Sequence, residues 1–512
     1  MSSTRLMERE LTQTGITRHF IAGRPETGGS RRLERFDPAT GEQMGYVTLG
    51  DESTVNTAVD SSSNAYQDWR LVEPAKRAVI IRKFCDAVSA HADELCRLIT
   101  LEHGKTLLDA QGELQRGIEN IEYATGIAEH LKGEYSKAVG PDIDSWSEMS
   151  PLGVVVGITP FNFPVMVPMW MFPLAVACGN TFILKPSEKV PTAGYRLAEL
   201  FSEAGLPDGV FNVVQGDHDT TGWLLQHPSV KAASFVGSTP VARSIYKASG
   251  ESGKRVQALG GAKNHAVVLP DADVESATNA IMGAAYGSCG QRCMALSVVV
   301  SVGGETADKV ADALSKKVSG LNIGPGMNNL DMGPLNSSPQ RDRIVDLIQE
   351  GMDQGATILV DGRKHESYQQ PGFYLGGTLF DNVRPGMSIY DEEIFGPVLC
   401  LVRVKTASDA MRIVNDSQYG NGTCIFTRDG YSARAYADKV ESGMVGINVP
   451  LPVPVANHSF GGWKDSRFGD LAAYGPDGVR FYTRRKTITE RWTSPVDDSA
   501  IDFSFPGTRT TE

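Results

Sequence analysis

The chain has 512 residues, of which 41% are hydrophobic and 21% are charged. This length exceeds what one hydrophobic core supports, so two or three domains are expected. The composition is that of an ordinary soluble globular protein. The formal net charge of −12, without a clustered basic face, argues against a nucleic-acid-binding protein.

The distribution of apolar residues and cysteines indicates a cytoplasmic protein. The N-terminal residues lack the apolar core of a signal peptide. Four prolines interrupt the most apolar region, residues 153–184, so a membrane span is not expected there. The seven cysteines include no C-x-x-C pair. This pattern disfavours a zinc site or any other metal centre and favours a reducing compartment.

The N-terminal part of the chain predicts short strands followed by helices. Residues 1–18 form a polar extension, and strands are expected at 20–23 and within 35–47, around a turn at 38–41. Apolar residues at helical spacing then predict three helices: one from Asp51 or Ser53 to Trp69, one from Glu73 past Leu95, and one over 105–130. The polar residues 134–149 predict a β-hairpin.

From Pro151 onward, short apolar runs alternate with helical segments, which indicates βαβ units around a parallel sheet. The predicted strands are 153–158, 180–184, 210–214 and 232–236. No G-x-G-x-x-G fingerprint follows the first strand. Instead, Gly237 and Ser238 follow the fourth strand and begin a helix, whose free N–H groups favour a phosphate. Such turns are common, so this signal alone has little specificity.

A second α/β pattern begins near Val256. Its predicted strands are 266–269, 297–301, 357–359, 398–404 and 422–426. Residues 443–449 lead into a proline-rich segment, 450–455. Residues 479–491 alternate as a strand does, and the tail from Ser494 has the composition of a disordered segment.

The stretch 287–295, Gly-Ser-Cys-Gly-Gln-Arg-Cys-Met-Ala, follows a predicted helix over 274–286 and is the strongest candidate for chemistry. A free cysteine is usually a core residue. Here Arg292 lies directly beside Cys293, and an adjacent cation can lower the pKa of a thiol. We interpret Cys293 as a catalytic nucleophile.

Five phrases occur in one order: Ile-Thr-Pro-Phe-Asn-Phe-Pro at 158–164, Leu-Lys-Pro-Ser-Glu at 184–188, Phe-Val-Gly-Ser-Thr at 235–239, Gly-Gln-Arg-Cys at 290–293 and Glu-Glu-Ile-Phe-Gly-Pro-Val at 392–398. Together they resemble the aldehyde dehydrogenase superfamily, over about residues 19–492. Within it, the stretches 169–175, 261–265, 420–423 and 449–454 are most similar to the CoA-acylating methylmalonate-semialdehyde dehydrogenases.

The resemblance implies a role for each residue of the site. Cys293 would attack the aldehyde, and the Asn162 side chain would stabilise the resulting oxyanion together with the Cys293 N–H group. Arg292, Arg116 and Phe163 would bind a carboxylated substrate. A guanidinium suits this task, although either arginine could instead form a structural salt bridge.

The resemblance also implies an NAD site. Lys185 and Glu188 would contact the adenosine ribose, and a carboxylate there favours NAD over NADP. Gly237 and Ser238 would hold the pyrophosphate. Glu393 would hold the nicotinamide ribose, and Phe395 would pack near the ring. The remaining residues expected at the cofactor are Thr159, Pro160 and Phe161.

The chain departs from hydrolytic family members at one position. They carry a glutamate base in a Glu-Leu-Gly-Gly-Lys phrase, but here the base position is Leu259 or Ala258, depending on the alignment. Water, with a pKa of about 15.7, needs such a base, whereas a thiol with a pKa of about 8.5 does not. We therefore expect acyl transfer to CoA as a co-substrate, with loss of CO2 from malonate or methylmalonate semialdehyde.

The fold implied is α/β, with a Rossmann-like NAD domain (19–133 and 151–255), an α/β catalytic domain (256–457) and a small β oligomerisation arm (134–150 and 478–493). Residues 1–18 and 494–512 would be extensions. The arm implies a homodimer or homotetramer. Two alternatives stay open: a hydrolytic NAD-dependent aldehyde dehydrogenase with another base, and a non-catalytic scaffold.

Overall fold

The computed structural model describes residues 15–492. Sixteen α-helices lie within this range: α1 Glu52–Trp69, α2 Pro74–Ala90, α3 Ala92–His103, α4 Leu107–Thr125, α5 Ile127–His130, α6 Met166–Ala177, α7 Pro191–Glu203, α8 His218–Gln226, α9 Thr239–Glu251, α10 Val274–Tyr286, α11 Gly304–Ser319, α12 Ser338–Asp353, α13 Ser388–Asp391, α14 Ala407–Asp416, α15 Gly430–Lys439 and α16 Gly475–Tyr482.

The strands of the same range are β1 Ile16–Thr17, β2 His19–Ile21, β3 Arg24–Glu26, β4 Arg31–Phe36, β5 Gln43–Leu49, β6 Tyr135–Gly140, β7 Ile143–Pro151, β8 Val154–Ile158, β9 Thr181–Lys185, β10 Phe211–Val213, β11 Val230–Val236, β12 Arg255–Leu259, β13 Asn264–Val268, β14 Leu296–Val302, β15 Thr357–Val360, β16 Thr378–Asp381, β17 Val398–Val404, β18 Tyr419–Gly420, β19 Gly422–Phe426, β20 Met444–Ile447, β21 Trp463–Lys464, β22 Arg467–Phe468 and β23 Thr483–Arg491.

The first large sheet has eight strands in the order β22-β12-β11-β8-β9-β10-β2-β3. Its five central strands, β12 to β10, are parallel, which confirms the predicted βαβ pattern. Ile158 pairs with both Lys185 and Phe235, so β8, β9 and β11 end at one edge of the sheet. The loops that follow these strands therefore meet in space, as in other open α/β sheets. β12, which pairs with β11, ends at Leu259.

The second large sheet has seven strands in the order β15-β16-β17-β14-β13-β19-β20. All of its pairings are parallel except that of β15 with β16. The runs predicted as strands after Val256 are all found in it. The stretch that carries Cys293 connects α10 to β14. It lies at the amino end of β13, because Leu296, the first residue of β14, pairs with Asn264, the first residue of β13. The first large sheet has a buried cluster on each face, and the second large sheet has a buried cluster of its own.

Two of the predicted helices are interrupted. The helix predicted from Glu73 ends at Ala90, and α3 begins after His91 and ends at Gly104, which has a left-handed φ of 95°. Glycine adopts that conformation without a steric penalty and commonly ends helices. The helix predicted over 105–130 begins only at Leu107, where the Thr106 hydroxyl caps it, and is interrupted at Gly126.

The strand predicted over 479–491 is wrong at its start, because residues up to Tyr482 belong to helix α16. A proline in the first turn favours this helix. Val479, Phe481 and Tyr482 are buried, and a short run of apolar residues does not distinguish a buried helix from a strand. The remainder forms β23, which pairs antiparallel with β7.

The predicted hairpin at 134–149 is confirmed as β6 and β7, which join β23 in a separate three-stranded sheet. Both of the expected extensions lie almost entirely outside the described residues. Over the described range, no helix is both long and apolar enough to cross a membrane. The apolar region at 153–184 instead contributes helix α6, whose twelve residues are all buried.

Candidate active site

Two cavities meet at Cys293. The larger, of about 820 Å³, lies at the carboxyl ends of β8, β9 and β11. The smaller, of about 260 Å³, lies between α4, α6 and the segment around Leu451 and Phe460. Among the residues that line them, only Cys293 is shared. It is also the one cysteine of the seven, all within the described range, that is not buried. Cys293 is therefore accessible from both sides.

The backbone before Cys293 is held in a sparsely populated conformation. Ser288 and Cys289 have φ values of 53° and 55°, in the left-handed region, which is costly for residues other than glycine. Gly290 follows with a φ of 69°, and a Cβ there would lie 2.2 Å from the Gly396 carbonyl oxygen. Surrounding contacts must fix this turn, because the local sequence does not favour it.

Side chains from several elements supply those contacts. The amides of Asn264 and Asn421 each donate to the Cys293 carbonyl oxygen at 3.0 Å. On the other side, Asp109 of α4 accepts a hydrogen bond of 2.9 Å from the Ser288 N–H group. The turn is thus fastened to the second sheet and to α4 together. Residues 105–113 and these two asparagines were not identified as site residues from the sequence.

The pKa of the Cys293 thiol is raised to about 12, mainly because the sulfur is desolvated, and secondarily by the negative charge of Glu393. Arg292 does lower the pKa of this thiol, as expected of an adjacent cation, but the effect of burial is larger. The Arg292 guanidinium donates to the Gly283 carbonyl at 3.2 Å and to Asp109, so its charge is engaged away from the thiol. Its effect on the thiol, like that of the Cys293 and Met294 N–H groups, is only to limit the increase.

Asn162, the residue predicted to stabilise an oxyanion, lies beside the turn that carries Cys293. It is only 3% exposed, and its Nδ2 group donates to the Gln291 carbonyl at 3.1 Å. That carbonyl belongs to the turn that carries Cys293, so the amide of Asn162 lies against the segment of the thiol.

The large cavity contains every residue predicted for the cofactor. Its lining includes the following set: Thr159, Pro160, Phe161, Lys185, Glu188, Gly237, Ser238, Glu393 and Phe395. These residues come from both halves of the chain, separated by more than two hundred positions. The fold brings the set together at the edge where β8, β9 and β11 end.

The chemistry of this cavity suits a dinucleotide. Helix α9 begins after Ser238, whose side chain makes no cap hydrogen bond, so backbone N–H groups and the helix dipole are available to a phosphate. A Cβ at Gly237 would lie 2.4 Å from the Phe235 ring. The buried hydroxyl of Thr159 has no hydrogen-bond partner among the described residues. Glu188, ion-paired with Lys185 at 3.3 Å, offers a carboxylate to ribose hydroxyls.

Glu393 and Phe395 form the wall of this cavity nearest Cys293. Burial raises the pKa of the Glu393 carboxyl to about 7. One of its oxygens accepts a hydrogen bond of 2.8 Å from the Ala262 N–H group. A Cβ at Gly261 would approach the other oxygen to 2.4 Å, so the glycine makes room for the carboxylate. Phe395 has a left-handed φ of 57° and packs edge-on against Phe161 at 5.9 Å.

The small cavity contains the three residues predicted for the substrate, Phe163, Arg116 and Arg292. The Arg292 side chain is 18% exposed. Arg116 is 42% exposed and pairs with Glu119 at 2.8 Å. Two guanidinium groups therefore line the same cavity as the thiol, and both already have a carboxylate partner.

The base position of hydrolytic family members holds no carboxylate. Leu259 and Ala258 are both buried at the end of β12. The carboxylate that raises the pKa of Cys293 through its charge is that of Glu393. It accepts a hydrogen bond from the Ala262 N–H group.

The chain is similar to known proteins over almost its whole length. Residues 25–488 match the aldehyde dehydrogenase family. The chain is 56% identical to the malonate-semialdehyde dehydrogenase of Pseudomonas aeruginosa, over 96% of this chain and 99% of that protein. It is 47% identical to the malonate-semialdehyde dehydrogenase of Halalkalibacterium halodurans, over 93% of this chain and 98% of that one.

Solved structures give the same result. The crystal structure of methylmalonate-semialdehyde dehydrogenase from Oceanimonas doudoroffii is 54% identical, with a TM-score of 0.93 over 94% of this chain and 99% of that one. A structure from Sinorhizobium meliloti, assigned by name to the same enzymes and complexed with NAD, is 48% identical, with a TM-score of 0.93 over the same shares. The chain belongs to the aldehyde dehydrogenase family.

Proposed function

We propose that this protein oxidises malonate semialdehyde or methylmalonate semialdehyde with NAD, and transfers the product acyl group to CoA with loss of CO2. The observation that carries the proposal is the position of Cys293. The thiol lies between a cavity suited to a dinucleotide and a cavity lined by two guanidinium groups.

The first step uses Cys293 and Asn162. The Cys293 thiol releases its proton to solvent, the thiolate adds to the aldehyde carbon, and the carbonyl oxygen becomes an oxyanion. The Asn162 amide and the Cys293 N–H group donate hydrogen bonds to that oxygen. Loss of one such donor typically costs about 10²–10³ in rate, which is roughly 2.7–4 kcal/mol.

The cofactor-side residues hold and orient NAD, which when bound supplies the two-electron acceptor of the oxidation. Ser238 and Gly237 would hold the pyrophosphate at the start of α9, and Glu393 the ribose nearest the thiol. The carboxylate of Glu188 would bind the other ribose and repel a 2′-phosphate, which favours NAD over NADP. The complex with NAD of the Sinorhizobium meliloti structure supports this choice.

The substrate-side residues account for a carboxylated aldehyde. Arg292 and Arg116 would bind the substrate carboxylate through charge-assisted hydrogen bonds, and Phe163 would contact its carbon chain. The names of the relatives support a malonate-type substrate. After oxidation, the β-carboxylate leaves as CO2, and the carbon that held it takes up a proton. Malonate semialdehyde thus gives an acetyl thioester, and its methyl derivative gives a propionyl thioester.

Release of the acyl group requires a nucleophile that does not depend on a strong base. The residues at the base position, Leu259 and Ala258, cannot deprotonate water. The CoA sulfur attacks the thioester carbon, its bond to carbon forms as the Cys293 bond breaks, and the thiol proton of CoA ends on Cys293. This step is a thiol exchange, for which a pKa of about 8.5 is sufficient at neutral pH.

The test is an NADH assay with malonate semialdehyde, with and without CoA, followed by mass spectrometry of the products. We expect sustained NADH formation only with CoA, and acetyl-CoA as the product. NADH turnover that is independent of CoA and yields a free acid would instead favour the hydrolytic alternative. An enzyme inert with all aldehydes would favour the non-catalytic scaffold.

We further propose that the chain forms a homodimer or homotetramer in the cytoplasm, through the arm of residues 134–150 and 478–493. The support is a sheet of β6, β7 and β23 that is separate from both large sheets. The division into an NAD domain and a catalytic domain is proposed on the same basis, since each contains one large sheet. Light scattering of the full chain, and of a variant with charged residues placed on the arm, tests the assembly. A variant that assembles like the wild type would exclude the arm as the interface between subunits.

A further inference from the structure

We propose that Lys105 is a positioning residue for the oxyanion amide of Asn162, and that it acts through a buried ion pair with Glu113. The inference rests on the role of Asn162 in the proposed function. It concerns a pair of charges that borders the small cavity and to which the proposed function assigns no role.

Lys105 is held entirely inside the protein. Its side chain and that of Glu113 are both 0% exposed, and their charged groups are 2.8 Å apart. The same ammonium group donates to the backbone carbonyl of Asn162 at 2.5 Å and lies 4.2 Å from the centre of the Phe163 ring. The charge of Lys105 is thus directed at the backbone of the residue that carries the oxyanion amide.

Glu113 extends this contact to the other side of Pro164. Its second oxygen accepts hydrogen bonds from the N–H groups of Val165 at 2.8 Å and Met166 at 3.2 Å. These are the free N–H groups at the start of α6, where no side chain of α6 itself provides a cap. The ion pair therefore fixes both ends of the short segment 162–166.

That segment needs support from outside. It connects β8 to α6, is not part of a helix or strand until Met166, and contains a proline without an N–H group. An oxyanion donor must lie about 2.7–3.1 Å from the developing charge, and a catalytic group must hold its geometry to within about 0.5 Å. A buried ion pair is costly to desolvate. The hydrogen bond that Lys105 donates to the Asn162 backbone is a benefit that accounts for the presence of the ion pair.

The experiment is a double substitution, Lys105→Met with Glu113→Gln, which removes both charges together, so that neither charge is left buried without its partner. Acylation is measured as the single-turnover burst of NADH with propanal and without CoA, so the result depends neither on the natural substrate nor on CoA. We expect the burst rate to fall by about 10²-fold, the range for a lost oxyanion donor. NAD affinity is expected to stay unchanged.

The decisive measurement repeats the double substitution in an Asn162→Ala background. If the pair acts through Asn162, the double substitution should lower the burst rate of the Asn162→Ala enzyme by less than about threefold, since contacts in one network are not additive. A fall of the same factor in both backgrounds, or no fall in either, would overturn the proposal. Should the double variant be insoluble, Glu113→Gln alone replaces it. We then expect about a fivefold fall in the wild-type background and none with Asn162→Ala.

The matched control is Lys309→Met with Glu305→Gln on α11. This pair has a similar separation of 2.6 Å but is exposed, so its loss should leave the burst rate unchanged. An Asn162→Ala enzyme with a normal burst rate would refute the proposed role of Asn162 itself. A different result would refute only the role of Lys105: the Asn162→Ala enzyme is slow, and the double substitution slows it by the same factor as it slows the wild type.

Discussion

Replacing Arg292 by Met tests whether the small cavity recognises a carboxylate. We expect the variant to lose kcat/KM for malonate semialdehyde and to retain it for propanal, which has no carboxylate. Methionine keeps much of the apolar stem of arginine, so the change isolates the guanidinium.

The magnitude follows from the contacts of Arg292. A guanidinium has five N–H donors. Gly283 and Asp109 accept hydrogen bonds from two of those of Arg292, so three remain for a substrate. A hydrogen bond to a charged group contributes about 1.5–3 kcal/mol. Two such bonds, taken near the lower limit because the side chain is 18% exposed, give about 3–4 kcal/mol. The ratio of kcat/KM values should therefore fall by about 10²–10³.

The assay measures NADH formation with CoA present, over a range of both aldehydes. A variant that combines Arg292→Met with Asp109→Asn should recover about threefold of the lost ratio, because the unpaired Asp109 carboxylate repels the substrate. The control is Arg428→Met, which removes another arginine paired with an aspartate, at 3.0 Å, but on the exposed surface. Equal losses with malonate semialdehyde and propanal would refute the assignment of Arg292 to the carboxylate.

Three further predictions concern ionisation and stability. The pKa of Cys293 is raised to about 12, so its alkylation by iodoacetamide without NAD should accelerate about tenfold from pH 9 to pH 10, whereas alkylation of an ordinary thiol would accelerate less than about twofold. Mass spectrometry of the Cys293 peptide measures the rate, and a rate that reaches a plateau near pH 9 would refute the prediction. With a pKa of about 7, Glu393 is neutral at pH 6 and ionised at pH 8, so calorimetry should show that NAD binds about tenfold more tightly at pH 8. A Glu393→Gln variant that keeps this pH dependence would contradict the assignment of Glu393 to the NAD ribose. Phe172 is fully buried among phenylalanine rings, the nearest 4.4 Å away, so Phe172→Ala should lower the free energy of unfolding in urea by about 3–5 kcal/mol. The control Tyr431→Ala, at an 82% exposed position, should change it by less than about 0.5 kcal/mol, and equal effects would count against the packing argument.

Seven of the nine residues predicted for the cofactor lie at the end of an apolar strand or just after it, whereas Glu393 and Phe395 precede β17 and followed only from the family resemblance. The alternation of strands and helices places Ile158, Lys185 and Val236 at one sheet edge. The motifs that follow them, around Asn162, Glu188 and Ser238, then meet without any knowledge of side-chain packing.

The support for the catalytic segment could not be predicted in the same way. Lys105, Asp109 and Glu113 recur every four residues, a spacing that normally indicates a solvent-exposed charged helix face. Only the packing of α4 against α6 and the Cys293 turn shows that Lys105 and Glu113 are buried. The raised pKa of Cys293 was missed because it results mainly from burial of the sulfur, which adjacency to Arg292 in the sequence does not reveal.

The separation of the two cavities has a consequence for how this enzyme can change. Trp170, Leu451, Val453 and Phe460 shape the side where the aldehyde would enter, and none of them lines the side of the dinucleotide. Substitutions at these walls can widen, narrow or polarise the aldehyde chamber while the redox half of the reaction stays intact. A laboratory search for enzymes acting on longer or bulkier acids should therefore randomise these four positions first.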